Sequence, residues 1–219
     1  MATSTLMDLV KLGDADGVDA LCHQDPALAA STDENGVSAL MVSIYWGKPL
    51  VTAKLRAYLP RLGFFEACAL ADLPAVQDAL SSNTELLNSH SIDGFSGLGF
   101  AAFFGHIEIA HYLLSKGAEV DNHSSNGLKV TPLGSAAAGG HGLLAELLLR
   151  NGAKVNTQQN GGFSPLHSAC QNGDVEMVKL LLQAGADTNL KTIEGKSPID
   201  MIEIETNPEI FRLLSTQKS

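Results

Sequence analysis

Two stretches of the chain match each other almost residue for residue: TPLGSAAAGGHGLLAELLLRNGAKVN (131–156) and SPLHSACQNGDVEMVKLLLQAGADTN (164–189). A third stretch, SGLGFAAFFGHIEIAHYLLSKGAEVD (96–121), precedes them with the same pattern. Self-similarity at a fixed period is the signature of a repeat architecture, because a single repeat cannot bury its apolar face and needs a neighbour stacked against it. We therefore expect a stack of similar units.

The sequence pattern of each unit predicts two short helices joined by a tight turn. Thr131 and Ser164 stand before proline at the start of the first helix, where a hydroxyl caps the free N–H groups and proline fits the first turn. Gly140 and Gly173 follow that helix, at the position that needs a left-handed residue. Leucine runs such as 180–182 then form the second helix, and a polar turn with Asp-Gly or Asn-Gly makes a projecting hairpin.

The register extends over nearly the whole chain when the leucine after the Ser/Thr-Pro pair is followed. Its equivalents are Leu6, Leu40, Phe65, Leu98, Leu133, Leu166 and Ile199, at steps of 34, 25, 33, 35, 33 and 33 residues. The step of 25 leaves no room for a hairpin near 56–63, so we expect the row of hairpins to be interrupted there. The step of 35 places two extra residues in the hairpin near 126–129.

The pattern resembles the ankyrin repeat family, whose repeat runs approximately G-x-T-P-L-H-x-A-A-x-x-G-H-x-E-V-V-x-L-L-L-x-x-G-A-D-V-N. The resemblance implies an all-α solenoid, an ankyrin repeat array of six to seven stacked helix pairs with short hairpin loops and one hairpin truncated near 56–63. It implies a single ankyrin repeat domain over 1–219, with repeats at about 4–34, 35–60, 62–93, 94–125, 126–160 and 161–193 and a C-terminal cap at 194–216.

The composition excludes several classes of partner. Among the 219 residues, 24 Asp and Glu against 14 Lys and Arg give a formal net charge of −10, the wrong sign for a nucleic-acid binder or for an anionic membrane surface. No apolar run approaches the roughly 20 residues of a membrane span, and the N-terminal residues lack the basic and apolar regions of a signal peptide. We expect no nucleic acid, no membrane and a cytoplasmic location, with export open for a chain whose signal peptide has been removed.

The sequence contains no pattern typical of a catalytic or metal site. The three cysteines fall in core-facing positions and are predicted to be small buried apolar residues rather than reactive thiols. His106, His141 and His167 occupy positions that the resemblance assigns to the repeat structure, and no histidine pair has zinc-ligand spacing. We therefore predict a protein that is not an enzyme and needs no cofactor and no metal.

The resemblance implies that partners bind at the hairpin tips and at exposed positions of the first helices, on a concave face. Six of the 12 aromatic residues, including the single Trp of the sequence, fall on these positions. They are Tyr45, Trp46, Phe95, Phe103, Phe104 and Phe163. Exposed aromatic side chains are typical of binding hot spots. We predict that they anchor a partner and that acidic tips steer it: Asp33, Glu34 and Asp93. The alternative is that these aromatic side chains pack on one another to close the crevice left by the missing hairpin.

Acidic charge is concentrated in the first half of the chain. Residues 1–110 carry 13 Asp and Glu against five Lys and Arg, a net of −8, while residues 111–219 carry 11 against nine, a net of −2. The complement is a partner protein with a basic, partly apolar surface. Our first hypothesis is a monomeric, non-enzymatic protein–protein interaction module. The alternative is a stoichiometric inhibitor or immunity-type protein that occludes the basic active site of an enzyme, and a third hypothesis is small-molecule binding in a pocket at the 56–63 break.

Overall fold

Short helices follow one another in antiparallel pairs along the chain in the computed structural model, which describes residues 2–203, 205 and 207–216. The α-helices are α1 (Ala2–Leu12), α2 (Ala15–Gln24), α3 (Ala39–Tyr45), α4 (Pro49–Tyr58), α5 (Phe64–Ala69), α6 (Leu73–Ser82), α7 (Gly97–Phe104), α8 (Ile107–Ser115), α9 (Pro132–Gly139), α10 (Gly142–Arg150), α11 (Pro165–Gln171), α12 (Val175–Gln183) and α13 (Pro208–Thr216). Short 3-10 turns lie at Pro26–Ala30, Thr84–Asn88 and Pro198–Met201. The described residues form no strand beyond two isolated bridges, so the fold is a helical repeat solenoid.

Local sequence explains where the first helix of each pair begins and ends. The Thr131 hydroxyl accepts a hydrogen bond from the Gly134 N–H at 3.1 Å, and the Ser96 hydroxyl accepts one from the Gly99 N–H at 3.0 Å. These side chains satisfy N–H groups that have no partner within the helix. Gly140 ends α9 with a φ of 71°, in the left-handed region that glycine adopts without steric cost. The predicted caps at these positions are confirmed.

Successive hairpins in the second half of the array are joined by their backbones. The Ser125 N–H donates to the Gly94 carbonyl at 2.8 Å, and the Asn160 N–H donates to the Leu128 carbonyl at 2.8 Å. The Ile193 N–H continues this row by donating to the carbonyl of Gly161, in the preceding hairpin, at 3.0 Å. Because each hairpin supplies donors and acceptors to the next, the stack is held by hydrogen bonds as well as by helix packing.

The row of hairpins changes between α3 and α7. Residues 59–63 are the whole connection from α4 to α5, and within the described chain no backbone hydrogen bond joins the hairpin at 32–38 to the hairpin at 90–96. The two tips instead approach through side-chain contact, since a Cβ built on Gly36 would lie 3.3 Å from the Ile92 Cγ1 atom. The packing across this junction therefore differs from the packing between later repeats.

The buried side chains form two clusters that meet at the same junction. The first cluster lies among α1 to α4 and includes Leu6 and Leu40, and the second extends from Met41 in α3 to Leu214 in α13. Val37, Ile44 and Leu62 pack against both clusters and connect them. The apolar core of the solenoid is therefore continuous. The set of residues that forms it changes between Leu40 and Phe65, where the repeat step is 25 residues.

The three cysteines lie in these clusters, as their positions in the repeat predict. Cys22 belongs to the first cluster, and Cys68 and Cys170 belong to the second. Burial raises the pKa of each thiol above its ordinary value, to about 12 for Cys170. A high thiol pKa keeps the thiolate scarce at neutral pH, so none of these cysteines has the environment of an activated nucleophile. The prediction of buried cysteines is confirmed.

The structure corrects the register in the third helix pair. The sequence alignment places Phe65 at the leucine position, but Phe64 is the buried residue and Phe65 remains partly exposed. At the end of α5, Ala71 has a φ of 57°, the left-handed conformation that glycine adopts in the other pairs. Counting from Ala71 therefore puts Phe64 at the leucine position. The alignment missed this because α5 is one residue shorter than α3 and carries no glycine at its end.

Several sequence predictions are not settled by this architecture. The count of six to seven pairs, the truncation near 56–63 and the repeat boundaries stay predictions. The predicted cap at 194–216 begins with the 3-10 turn and ends with α13, but residues 204 and 206 lie outside the described residues. None of the described helices combines the length and the apolar character that crossing a membrane requires.

Candidate functional site

An apolar groove opens on the face formed by the first helices and the hairpins. Its cavity of about 180 Å³ is lined by side chains of α3, α7 and α9 and of the hairpins before α7, α9 and α11: Tyr45, Phe95, Phe100, Phe103, Leu128, Val130, Ser135, Ala138 and Gln159. We call this set the apolar groove. Tyr45, Phe103 and Leu128 are 40%, 51% and 55% exposed, which is unusual for side chains of this size. The groove therefore presents large apolar side chains to solvent at one place.

Phe100 is the buried floor of the apolar groove. Its ring lies 6.4 Å from the Tyr45 ring, 5.6 Å from the Phe95 ring and 6.5 Å from the Phe104 ring, measured between centroids. Offset and tilted aromatic pairs at these distances stabilise one another beyond simple burial. Sequence reasoning did not single out Phe100. The sequence does contain a signal at this position. The equivalent residue in the next pair is Ser135, so the phenylalanine departs from the repeat there.

The hydroxyl of Tyr45 holds one wall of the groove in place. It donates a hydrogen bond to the Asp93 carboxylate, 48 residues further along the chain. Burial of the hydroxyl and the negative charge of Asp93 raise the pKa of Tyr45 well above its ordinary value of 10.0. The phenol is therefore neutral and acts as a donor at neutral pH, and α3 is tied directly to the hairpin before α7.

The six predicted anchor residues do not share one environment. Three of them line the apolar groove: Tyr45, Phe95 and Phe103. Trp46 is 56% exposed but lies at the C-terminal end of α3, outside the groove lining. Phe104 faces a separate cleft beside α4. Phe163 packs edge-on against His167 with ring centroids 5.8 Å apart.

The expectation that all six are exposed is wrong for three of them. Phe95, Phe104 and Phe163 are only partly exposed. Phe95 and Phe104 pack against the second core cluster because Phe100 offers them a large apolar surface. The alternative that aromatic side chains pack on one another therefore describes Phe95 and Phe104, while Tyr45, Trp46 and Phe103 keep solvent-facing surface. Whether any of the six binds a partner stays a prediction.

The three predicted acidic tips also differ in what their carboxylates do. Asp33 organises its own turn, because its carboxylate accepts hydrogen bonds from the N–H groups of Asn35 and Val37, both at 2.9 Å. Glu34 is exposed at the same tip. Asp93 is half-buried and accepts hydrogen bonds from the hydroxyls of Tyr45 and Ser91. Of the three residues, Glu34 is the one that is exposed rather than half-buried, and steering of a partner by these tips stays a prediction.

A second, larger opening lies beside the 56–63 segment. This junction cleft has a volume of about 510 Å³, with an apolar part formed by Ile44, Leu62, Leu70 and Phe104. Arg56 lines the cleft as well. Its guanidinium donates to the Leu59 carbonyl at 2.9 Å and lies 3.5 Å from the Asp72 carboxylate. The sequence predicted a pocket at this break, and its function stays a prediction.

The histidines that the sequence assigned to the repeat structure make structural contacts. The Nδ1 atom of His167 accepts a hydrogen bond from the Ser164 N–H at 3.1 Å, and its Nε2 atom lies 3.2 Å from the Lys196 carbonyl. His106 and His141 reach back to carbonyls at the C-terminal ends of α5 and α7, at 2.8 and 3.0 Å. Within the described residues, no group of three His, Cys, Asp or Glu side chains is arranged to hold a metal ion.

Comparison with known proteins identifies the family of the repeats from α5 onwards. The family model described as "Ankyrin repeats (3 copies)" matches residues 64–159, 98–192 and 133–218. A search of curated proteins gives no match to the chain. The three matches together extend over more than half of the 219 residues and follow the helix pairs from α5 to α13. The resemblance predicted from the T-P-L-H and Gly-Ala patterns is confirmed, and the chain belongs to the ankyrin repeat family.

Proposed function

We propose that this chain is a non-enzymatic binding module that holds a partner protein through the apolar groove and the neighbouring hairpin tips. Ankyrin repeats indicate a protein–protein interaction module in general. The finer proposal rests on one observation: Tyr45, Phe103 and Leu128 converge on one groove while each keeps 40% or more of its surface in solvent. Stacking of the repeats does not require these side chains to be large and apolar, and a binding surface does.

The hairpin before α9 contributes to this surface through its extra length. The two additional residues near 126–129 allow Leu128 to project beside Phe103, and Lys129 adopts a φ of 53° at the same tip. A wide hairpin with a strained residue and an exposed leucine is a costly arrangement for packing alone. We propose that it completes the groove for a partner side chain.

The proposed partner has a basic and partly apolar surface. The first 110 residues carry a net charge of −8, and the exposed Glu34 extends from a hairpin tip in this half. Complementary charge speeds the encounter of two proteins, whereas the apolar groove supplies affinity once they are in contact. We also propose that the chain acts as a monomer.

Affinity capture followed by mass spectrometry tests this function. Bait proteins with Phe103→Ser and Leu128→Ser are compared with the wild type, and we expect the partner found with the wild type to be lost. Truncation of a hot-spot side chain weakens binding by about 2 kcal/mol or more, which is roughly 30-fold in the dissociation constant. Isothermal titration calorimetry with the captured partner measures that change.

Leu143 provides the matched control. It is 74% exposed on α10 and does not line the apolar groove, so Leu143→Ser removes a leucine elsewhere that is more exposed than Leu128. We expect this variant to bind the partner as the wild type does. Equal binding by all three variants, at unchanged thermal stability, would refute the proposal.

The stoichiometric inhibitor hypothesis is a narrower form of the same proposal. Its support is the acidic first half of the chain, which complements a basic active site. If the captured partner is an enzyme, its activity should fall to the baseline at one equivalent of this chain. Full activity with a saturating excess would leave a scaffold role and remove the inhibitor role.

The junction cleft supports a separate small-molecule hypothesis. Its volume of about 510 Å³ is within the range of ligand pockets, and its lining combines apolar side chains with Arg56 and Asp72. Thermal-shift screening with metals, nucleotides, sugars and small carboxylic acids tests it. A ligand that raises the melting temperature of the wild type but not of Leu70→Trp, which fills the cleft, would support the hypothesis. Flat melting curves for every class would remove it.

A further inference from the structure

A second cavity lies between the hairpins at 32–38 and 90–96, where the backbone ladder is interrupted. This gap pocket has a volume of about 360 Å³. Its apolar lining includes Met41, Phe65, Phe100 and Ile92, and its polar lining includes the carboxylates of Glu66 and Asp93. The gap pocket shares Phe100 with the apolar groove, so one aromatic residue contributes to the lining of both cavities.

Both carboxylates in the gap pocket are held by neutral donors. Glu66 accepts hydrogen bonds from the Ser38 hydroxyl at 2.6 Å and from the Gly63 N–H at 2.7 Å. Asp93 accepts from the hydroxyls of Tyr45 and Ser91. These bonds fix the position of each carboxylate without neutralising its charge, and each oxygen keeps a further lone pair.

Neither carboxylate has a basic partner within the described part of the chain. No Lys, Arg or His nitrogen there lies within 4.0 Å of Glu66 or Asp93, although other acidic residues in the chain are paired in this way. Both carboxylates line one cavity and are half-buried, so each negative charge has only part of its surface in water. A cation that enters the pocket can form charge-assisted hydrogen bonds with these groups.

The apolar wall determines which kind of cation fits. Hard metal ions take six or more oxygen ligands, whereas this pocket offers two carboxylates beside Phe65, Phe100 and Met41. A basic side chain matches both parts, because its aliphatic stem packs on apolar surface and its charged head is attracted by carboxylates and aromatic faces. Arginine matches best, since its planar guanidinium can donate to two acceptors at once and stack on a ring.

We propose that the gap pocket accepts an arginine side chain from an extended loop of the partner protein. This inference rests on the proposed function and deepens it, since it names the side chain that the partner inserts beside the apolar groove. The missing hairpin opens the pocket, and the carboxylates of Glu66 and Asp93 provide its selectivity for a basic group.

The test uses two blocked pentapeptides as probes. One has arginine between two pairs of alanines, and the other has citrulline, which has nearly the same shape but no charge. Titration of each peptide into the 15N-labelled full chain is followed by NMR. We expect the arginine peptide to shift the backbone amide signals of Phe65 and Ile92 with saturation, and the citrulline peptide to leave them in place.

Charge-neutralising variants test the two carboxylates. Glu66→Gln and Asp93→Asn each keep one of the two acceptor oxygens that hold the side chain, and each should weaken binding of the arginine peptide about tenfold. Glu108→Gln, at an exposed position on α8, is the matched control and should bind as the wild type does. Melting curves establish that each variant is folded, and if one fails to fold, the other carries the test.

The outcomes separate this inference from the proposed function. Equal shifts with the arginine and citrulline peptides, or shifts that survive both Glu66→Gln and Asp93→Asn, would overturn the inference. Loss of the partner with the Phe103→Ser groove variant, together with no response to arginine, would leave the proposed function standing and remove the inference. If the chain binds arginine selectively but its groove variants retain every partner, the inference stands and the proposed role of the apolar groove is removed.

Discussion

The Tyr45 hydroxyl donates to the Asp93 carboxylate and so joins α3 directly to the hairpin before α7, over the helix pair between them. Tyr45 lines the apolar groove, and Asp93 lines the gap pocket. The shortened connection at 59–63 makes this contact possible, because no hairpin of the third pair lies between the two side chains in the described chain. One hydrogen bond therefore joins a side chain in the lining of one cavity to a side chain in the lining of the other.

Tyr45→Phe removes this hydrogen bond and keeps the ring. We expect the free energy of unfolding to fall by about 1 kcal/mol, because the Asp93 carboxylate loses one donor while remaining half-buried. Urea denaturation measures the change. Tyr112→Phe is the control, since the Tyr112 hydroxyl makes no hydrogen bond within the described residues and its loss should cost little. An equal effect of the two substitutions would contradict the role of the Tyr45–Asp93 bond.

Gly97 is expected to tolerate no side chain. A Cβ atom built there would lie 2.7 Å from the Phe64 ring and 3.1 Å from the Cys68 Sγ atom. Gly97→Ala should lower the free energy of unfolding by about 1–3 kcal/mol through overpacking, and Phe64→Leu in the same chain should restore part of it.

Gly142 supplies the comparison for Gly97→Ala. It also opens a helix, but a Cβ built there meets no heavy atom of the described chain within 4 Å. Gly142→Ala should be neutral or slightly stabilising, because alanine is the better helix former. Thermal unfolding of both variants provides the measurement, and a loss of similar size in each would show that steric conflict with Phe64 is not the cause.

Ala71→Gly should stabilise the chain. Ala71 has a φ of 57°, a conformation that costs an L-residue about 1 kcal/mol and costs glycine almost nothing. Relief of this strain exceeds the loss from the greater freedom of glycine in the unfolded chain. Chemical denaturation should show a net gain of about 0.5 kcal/mol. Ala53→Gly in the interior of α4 should instead cost about 1 kcal/mol, and a loss at both positions would contradict the register that places Ala71 at the end of the first helix.

Acid should destabilise the fold through His167. Burial lowers the pKa of His167 below its ordinary value of 6.5, and its Nδ1 atom already accepts the Ser164 N–H. The unfolded chain therefore binds a proton at a higher pH than the folded chain, so stability is full above about pH 6.5 and is lost as the pH falls below it. Urea denaturation between neutral and mildly acidic pH measures this dependence.

Two histidine variants check that assignment. His167→Gln should be less stable at neutral pH and should show a smaller loss on acidification, since the group that takes up the proton is gone. His111→Gln removes an exposed histidine and should keep the wild-type dependence. If His167→Gln loses as much stability in acid as the wild type does, another group is responsible.

Local sequence was sufficient for the features that repeat. Thr131 and Gly140 each act within one helix and its own turn, so their residue types alone predict the cap and the left-handed end of the helix. The structural role of His167 was implied by the family resemblance instead, and its contact with the Lys196 carbonyl reaches into the next hairpin. The error at Phe65 arose where this logic failed, because a helix one residue shorter, ending in alanine instead of glycine, gives no local signal of the shift.

The lining of the apolar groove could be predicted less completely than the repeating features, because it depends on contacts between residues that are distant in the chain. Sequence reasoning found Tyr45, Phe95 and Phe103 because they occupy exposed positions of the repeat. It did not identify Phe100, the buried ring that lines the same groove, or Leu128, which also lines it. Those roles follow from ring packing between helix pairs, and the repeat pattern carries no information about which rings will meet.

The sequence by itself therefore determined that this protein is a solenoid of ankyrin repeats, because each repeat encodes its helices, caps and turns within some 33 residues. Only the tertiary structure decided which aromatic side chains remain exposed and which become core, and that Tyr45 meets Asp93. The physical reason is the irregular junction: where one connection is short, residues 48 apart come into contact, and packing between unlike neighbours replaces the periodic rule.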